Sequence, residues 1–541
     1  MPRVKGNPWV TLVILCLGFF MTLLDTTIVN IALPSMSHDL GANLDDLIWV
    51  ISVYVFGLGV LIITAGGLGA IVGPRNVFIA GLVLFTAASA ACGASQSPGQ
   101  LIAARAVQGV GAALMTPQTL TLLMAIFPPD KRAVPSVIWG FAAGVAGVAG
   151  PTVGGLLVTH WSWRWIFYVN VPVGVITLIA AILLIPDLRV GQRRRLDLLG
   201  VALVSLALFA ITFALVEGEH YDWGTVRSFV TIPGLIVTGV VLLGLFIVSQ
   251  AYRKDPLMPL ELFRNRDFSI MSFVGLVLSF TLVAAAFGLT IYLQSMLGLS
   301  ALSAGLTIAP SSLAIMAGFG IVGALGKWVK EKQLVIGGFV LNAIAIADIA
   351  HVTRIHASRW DFLPGLIMLG LAQAAIFSPL VTVAVRDVPT RLSAAASGAF
   401  NAIRQIGFLL AAAAVGALLE RKMAGALHHE AVAQATRLPA DARAPFVSAF
   451  DELARSGLQV GSGSAGTQLR FPAGIAPATL QQMQNLSGTV VAHAFIDALR
   501  FTLYLVIGAC LLAGVVCIAI KKHHAEAQGD EDRSQLDPIT F

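Results

Sequence analysis

Charge is what this 541-residue sequence has least of: Asp, Glu, Lys and Arg together make up 11% of it, against roughly a quarter in ordinary soluble domains. A water-soluble globule is excluded, because too few ionic groups are present to cover its surface. Cysteine is scarce as well. Cys16, Cys92, Cys510 and Cys517 are the only four, each inside an apolar run where a thiol behaves as a small buried hydrophobe. Neither a disulfide framework nor a metal site is expected. CxxC and HExxH pairings are missing, and His428 and His429 stand side by side in a polar stretch with no other ligand type at metal spacing. The Gly-rich phosphate loop ending in Lys-Ser or Lys-Thr is also missing, which argues against a built-in ATPase.

What is present is apolar. Hydrophobic residues make up 57% of the chain, mean hydropathy is +0.85, and apolar runs of roughly 20 residues, the length that spans a bilayer as a helix, alternate with short charged joints. The pattern predicts an all-α polytopic membrane protein embedded in a lipid bilayer. Arg3 and Lys5 precede the first run as in a signal peptide. That run is long, lacks a small-x-small cleavage site and carries Asp25, so it reads as a retained first helix. Helices are expected at 9–33, 47–66, 77–95, 101–126, 134–159, 165–185, 198–216, 229–250, 269–294, 303–326, 333–353, 362–385, 395–420 and 497–520, fourteen in all.

An even number puts both termini on one side. Basic residues choose that side. One alternating set of joints holds Arg3, Lys5, Arg75, Lys131, Arg132, Arg189, Arg193 to Arg195, Arg253, Lys254, Arg264, Arg266, Lys327, Lys330, Lys332, Arg386, Arg391, Lys521, Lys522 and Arg533. The short joints of the other set hold only Arg164, Arg227, Arg354 and Arg359. Both termini are therefore expected in the cytoplasm. The formal charge of +6 is explained by topology and is no nucleic-acid footprint.

Residues 421–496 form one long polar joint, expected outside. Its first half has helix-forming composition broken at Pro439 and Pro445, and GSGSAGTQLRFPAGIAP reads as loop or hairpin. It is either a plain extracytoplasmic cap or a docking surface for an envelope partner. A repeat is visible too: LGAIVGPRNVFIAG (Leu68 to Gly81) and LGKWVKEKQLVIGG (Leu325 to Gly338) each follow the second helix of a six-helix set. The organisation expected is a first lobe over 1–190, two linker helices over 191–266, the first five helices of a second lobe over 267–420, the outer loop 421–496, a last helix 497–520 and a cytoplasmic tail 521–541.

Charges inside the membrane cost about 2.5 to 3.5 kcal/mol each at helix centre and call for a reason. Asp25 on the first helix and Arg105 on the fourth stand in the outer halves of neighbouring helices, where they could share a cavity. The Arg would balance the Asp25 charge until a proton or cationic solute replaced it, a proton-switch arrangement; a static ion pair is the alternative. The second lobe offers Asp348, with His351 one turn later, and Arg404 following Asn401. Glu217 and Glu219 fall at an interface beside Tyr221 and Trp223. Polar candidates for a central substrate cavity are Asn30, Gln108, Asn342, Asp348, Gln373, Asn401 and Arg404. The fifth helix carries Gly147, Gly150, Pro151, Gly154 and Gly155, a small-residue face around a helix-bending proline that suits a gate as well as plain packing.

LLDTTIVNIALP, LIAARAVQGVGAA, GVAGPTVGG and WSWRWIFYVNVP, in this order and on these helices, resemble the signature blocks of the major facilitator superfamily. With fourteen spans, the chain looks like the drug:proton antiporter branch of EmrB/QacA type. The resemblance implies alternating access between two six-helix lobes. It casts Asp25 and Arg105 as the proton-coupling pair and Gly150-Pro151 with Gly154-Gly155 as the antiporter block. The implied function is proton-driven export of amphiphilic drugs or antibiotics by a functional monomer that uses the proton gradient and no cofactor. A narrow natural-product or metabolite exporter and a proton-linked importer are the alternatives in class; a membrane enzyme at Asp348 and His351 and a sensor that has lost transport are those outside it.

The chain departs from the resemblance in the cytoplasmic latch after the second helix. The block Gly66, Gly69, Ala70, Ile71, Gly73, Pro74, Arg75 has Ala70 where an acid is expected and Ile71 at the following basic position. A weaker outward-facing state follows, with the basic loop Lys327 to Lys332 as its expected compensation. Ala70→Asp combined with Ile71→Arg is expected to populate the outward-facing state more heavily, as read by distance probes across the inner ends of the lobes; an unchanged equilibrium and transport rate would sink the latch reading.

Overall fold

The computed structural model describes residues 7–128, 133–187, 197–218, 221–227, 230–253, 256–326, 328–386, 388, 392–456, 469, 471 and 477–520. Arg3, Lys5, Lys131, Arg132, Arg189, Arg193 to Arg195, Glu219, Lys254, Lys327, Arg391, the 521–541 tail and most of the GSGSAGTQLRFPAGIAP stretch lie outside the described residues.

In hydrocarbon every backbone polar group must be satisfied within the segment, so apolar runs of this length fold as helices. They do so here. The first bundle contains α1 (Pro8–Leu40), α2 (Leu44–Val72), α3 (Pro74–Ala94), α4 (Pro98–Ile126), α5 (Ala133–His160), a short α6 (Trp165–Tyr168) and α7 (Asn170–Leu184). Two helices follow, α8 (Leu198–Val216) and α9 (Ile232–Tyr252), joined through the small antiparallel pair β1 (Thr225–Arg227) and β2 (Val230–Thr231). The second bundle contains α10 (Arg266–Ile291), α11 (Ala301–Leu325), α12 (Glu331–Val352), α13 (Leu363–Arg386), α14 (Ser393–Ala435), α15 (Ala440–Ser456) and α16 (Pro477–Cys517). Among the described residues, 13 helices are long and apolar enough to cross a membrane. The remaining expected span is α5, 28 residues without one Asp, Glu, Lys or Arg.

Sequence sets the helix ends. Asn7 caps α1 ahead of Pro8, Asn43 and Asp46 form a reciprocal box at α2, Ser97 caps α4 ahead of Pro98, and Asn265 and Ser300 cap α10 and α11. Gly41 and Gly73 take positive φ, 63° and 99°, to turn the chain sharply after α1 and α2. The starts of α1, α2 and α3 at Pro8, Leu44 and Pro74 are echoed by α10, α11 and α12 at Arg266, Ala301 and Glu331, with the same spacing to within a residue. α8 packs on α9 and touches α2 and α14. Asp197, buried at the start of α8, accepts Gln250 Nε2 at 2.7 Å and pairs with Arg253 at 3.1 Å, fastening this hairpin at one end.

Three expectations are corrected. α1 runs through Pro34 to Leu40 instead of ending at 33; beside the proline, the Ile31 carbonyl accepts Gln294 Nε2 at 2.9 Å. The sixth span is two helices that meet at Val169. The largest change concerns 421–496, which is no loop over most of its length: α14 continues to Ala435, α15 occupies Ala440–Ser456 and α16 begins at Pro477. Pro439 breaks the chain just before α15, whereas Pro445 lies inside α15 near its first turn and is accommodated. At 43 residues α14 is about 65 Å long, roughly twice the hydrocarbon thickness. Its extension, α15 and the start of α16 bury Met423, Leu427, Ala431, Phe446, Phe450, Leu453 and Met483 between them. Phe446 stacks on Phe471, and His428 Nδ1 lies 2.7 Å from Asp451. This cap has its own small core, so Phe446→Ala is expected to cost about 3–5 kcal/mol locally. Hydrogen exchange should rise across α15 while α1 to α5 keep their protection.

Candidate functional site

Asp25, Arg105 and Gln108 are buried at 0%, 1% and 0% exposure. Arg105 and Gln108 stand three apart on α4, so both side chains leave the same face toward α1. Arg105 Nη1 pairs with Asp25 Oδ2 and donates to Gln108 Oε1 at 2.8 Å, while its Nε donates to the Val50 carbonyl of α2 at 3.1 Å. The guanidinium lies 4.1 Å from the ring centre of Tyr54, whose hydroxyl donates to Thr22 O at 3.0 Å. Gln108 Nε2 donates to Asp25 Oδ1 at 2.8 Å and to Ser89 Oγ on α3 at 3.3 Å; Ser89 in turn donates to Phe167 O on α6 and accepts Asn170 Nδ2 from α7. One buried network thus touches α1, α2, α3, α4, α6 and α7. Close approach of α2 to α4 makes this reach possible: a Cβ on Gly57 would lie 3.2 Å from Gly109 C, and one on Gly109 would strike the Tyr54 backbone. Removing one partner of such a pair costs about 3–5 kcal/mol, because the other charge is left alone in the bundle.

Gln108, expected in a central cavity, is instead a member of this ion-pair network. Ser89, Tyr54 and Asn170 carry as much of it, and sequence reading passed them over. In an all-apolar helix a lone Ser, Tyr or Asn gives no sign of which way it faces.

α5 has two working faces. On one, Gly150 and Gly154 abut Thr27 and Ile28 of α1, and Thr27 Oγ1 reaches Ala146 O at 3.3 Å. On the other, Gly155 lies against the backbone of Ala301 and Leu302 on α11, the Pro151 carbonyl presses on Gly305, and Ser312 Oγ donates to Gly147 O at 3.0 Å. The two bundles are therefore in backbone contact along α5 and α11, with Thr159 Oγ1 accepting from Leu302 N at 3.0 Å near the end farthest from the chain termini.

The second-bundle candidates scatter. Asn342 is fully buried between α10, α12 and α16, with Thr281 Oγ1 at 3.5 Å and Cys510 Sγ at 3.6 Å. Asp348 is half-buried against Gly365 where α12 meets α13. Gln373 is buried on α13, Asn401 is exposed on α14, and Arg404 lies over the Phe377 ring at 4.7 Å. Asn30 donates to Thr26 O of its own helix. No shared cluster joins Asn342, Asp348 and Arg404.

The latch block forms the end of α2 and the start of α3. Gly69 is covered by the Gln118 side chain, which donates to Ala65 O at 2.7 Å; Gly66 has open space, Ile71 is exposed, and Arg75 Nη2 donates to Ile182 O within its own bundle. Lys332, expected to compensate for the latch, donates to Ile518 and Ile520 carbonyls at the end of α16 and crosses to no other bundle. A charge cluster the sequence did not flag stands at this same end: Arg386 of α13 pairs with Glu331 of α12 at 2.8 Å and Asp267 of α10 at 3.3 Å.

Residues 15–412 match the Major Facilitator Superfamily. The chain belongs to that superfamily. It is 38% identical over 467 residues to the uncharacterized MFS-type transporter Rv1250 of Mycobacterium tuberculosis, covering 82% of this chain and 78% of that one. It is 32% identical over 424 residues to the tetracenomycin C resistance and export protein of Streptomyces glaucescens, covering 78% and 77%, and 34% identical over 410 residues to the putative multidrug resistance protein MdtD of Escherichia coli, covering 75% and 85%. The fold is also that of a bacterial homologue of the human lysosomal transporter Spinster, at 16% identity and TM-score 0.59 over 96% of this chain and 100% of that one. This major facilitator is a multi-pass membrane transporter and not an enzyme.

As a major facilitator it is seen with its distal end closed. Gly144 still meets Met316 across the seam; one turn nearer the termini, on the same two faces, Phe141 is 57% and Phe319 39% exposed, so α5 and α11 part there. Gly305→Ala would set a methyl group against the Pro151 carbonyl. It is expected to shift the transporter toward its distal-open form, read as a longer distance between probes at the distal ends of α5 and α11; an unchanged distance would show that the contact does not hold the seam.

Proposed function

We propose that this transporter is a proton-coupled exporter of amphiphilic small molecules, drugs or antibiotics among them, working by alternating access in a bacterial plasma membrane with both termini in the cytoplasm. The observation that carries the reading is the buried Asp25–Arg105 pair together with its position on α1. Two and three residues beyond Asp25, Thr27 and Ile28 are the residues on which Gly150 and Gly154 of α5 rest. The opposite face of α5 holds the seam with α11. A change in the charge of Asp25 therefore acts on the helix that carries the distal gate.

In this account a solute enters the central space from the proximal, cytoplasmic end. Once the lobes have rocked and the solute has left at the distal end, a proton from outside reaches Asp25 and neutralises it. Arg105 then keeps Gln108, the Val50 carbonyl and the Tyr54 ring but loses its counter-charge, and the tie between α1 and α4 loosens. The lobes rock back. Each proton moving inward through 100 mV supplies about 2.3 kcal/mol, and each pH unit about 1.36, enough to sustain a modest solute gradient without any cofactor. The tetracenomycin C resistance and export protein supports the direction of transport, and together with the putative multidrug resistance protein MdtD it supports the kind of solute.

The test is proton flux in proteoliposomes of the full-length protein challenged with amphiphilic drugs, for wild type and Asp25→Asn. The wild type is expected to release protons on drug addition and Asp25→Asn to lose at least about 90% of that release, with drug binding retained. Undiminished flux in Asp25→Asn would move coupling elsewhere.

A further inference from the structure

Arg105 has a carboxylate; among the described residues Arg404 has none. Arg404 stands on α14 with its stem over Gly275 of α10, 3.1 Å from where a Cβ there would be, and its guanidinium 4.7 Å from the Phe377 ring centre of α13. Its Nε is buried without a hydrogen-bond acceptor, and among the described residues no acid pairs with it. Arg404 as a whole is half-buried, and a guanidinium whose Nε is cut off from acceptors is better satisfied when something supplies the opposite charge. Asp25 is committed to Arg105 and Asp267 to Arg386, while Asp348 stands elsewhere, against Gly365 where α12 meets α13.

Its surroundings say what could. Phe377 meets Phe319 of α11 edge to face at 6.2 Å, and Phe319 is on the part of α11 that has separated from α5. The neighbouring Gln405 rests its stem on Gly59 of α2, in the other lobe. Arg404 is thus one residue from a contact with the other lobe and beside an aromatic pair, one ring of which, Phe319, is exposed where α5 and α11 part. Flat apolar bodies stack on such rings, and a guanidinium binds carboxylates and sulfonates through paired N–H donors.

We propose that Arg404 is the docking point for the anionic head of the exported solute, with Phe377 and Phe319 receiving its apolar body, so that this transporter selects organic anions with an aromatic or apolar core. The assignment rests on the export reading, naming its substrate class. Binding without any gradient separates the two, since loss of proton coupling leaves it unaffected.

The experiment is equilibrium binding by fluorescence polarisation to the full-length protein in phosphatidylcholine nanodiscs, which offer no lipid of net charge. The probes are carboxyfluorescein and tetramethylrhodamine ethyl ester, xanthenes of opposite charge. Wild type is expected to prefer the anion. Arg404→Gln should weaken carboxyfluorescein binding about tenfold or more, as loss of a charge-assisted hydrogen bond does, and change the cation's affinity less than about twofold. Arg404→Lys, which keeps the charge but not the planar fork, should weaken the anion less than Arg404→Gln does. Equal weakening of both dyes by Arg404→Gln, no effect on the anion, or a wild type that binds the anion no better than the cation would overturn the assignment.

Discussion

Hiding one guanidinium from hydrocarbon shapes the first lobe. Arg105 cannot stand alone in an apolar bundle, and the groups that answer it come from different helices: a carboxylate on α1, a backbone carbonyl and an aromatic ring on α2, and an amide on α4 itself. To bring these together α2 and α4 must cross closely, which Gly57 and Gly109 permit. The amide then recruits Ser89, and Ser89 recruits Asn170 and the Phe167 carbonyl. A structural ion pair of this kind is seldom net stabilising compared with well-packed apolar side chains. Its retention makes sense when one member changes charge during the work of the protein, which is the role proposed for Asp25.

From that pair to the contacts with α5 the distance along α1 is less than one helical turn. Thr27 and Ile28 support the glycines on one face of α5, while Gly155, the Pro151 carbonyl and Gly147 meet α11 on the other. Small residues do two jobs here: they bring backbones into contact, and they leave few interlocked side chains to hold one arrangement over another. Two rigid bundles joined by such a surface can have two discrete arrangements. The second lobe differs in character. Its charged cluster, Arg386 with Glu331 and Asp267, ties α10, α12 and α13 near the proximal end, while the corresponding end of the first lobe relies on Gln118 over Gly69 and on Arg75 reaching Ile182.

Much of this is legible in the residues. A lone Asp and a lone Arg in long apolar runs announce themselves by their cost, and so do the helix starts, marked by Asn7-Pro8, Asn43 and Ser97-Pro98. Facing is what the sequence hides. A helix apolar all round gives no stripe from which to tell whether Gln108 or Asn342 points to a cavity or into its own bundle, and both point inward to their bundles. The 421–496 segment is only partly legible for the opposite reason: outside the bilayer, hydropathy no longer marks helices, so the helix-forming composition of its first half shows while the extensions of α14 and α16 do not read as parts of the long helices they belong to. Glu331 and Asp267 read as ordinary joint residues because only the packed bundle brings Arg386 between them, and Lys332, read as compensation for the latch, is instead placed by that packing on the carbonyls that follow α16.

The central claim is that Asp25 takes up and releases a proton while Arg105 stays in place. Infrared difference spectroscopy of the full-length protein in liposomes tests it most directly, with Asp25→Asn used to assign the band. A protonated-carboxyl stretch belonging to Asp25 should appear when the distal side is acidified and vanish when an exported solute binds. An Asp25 carboxylate that stays ionised through both steps would contradict the account.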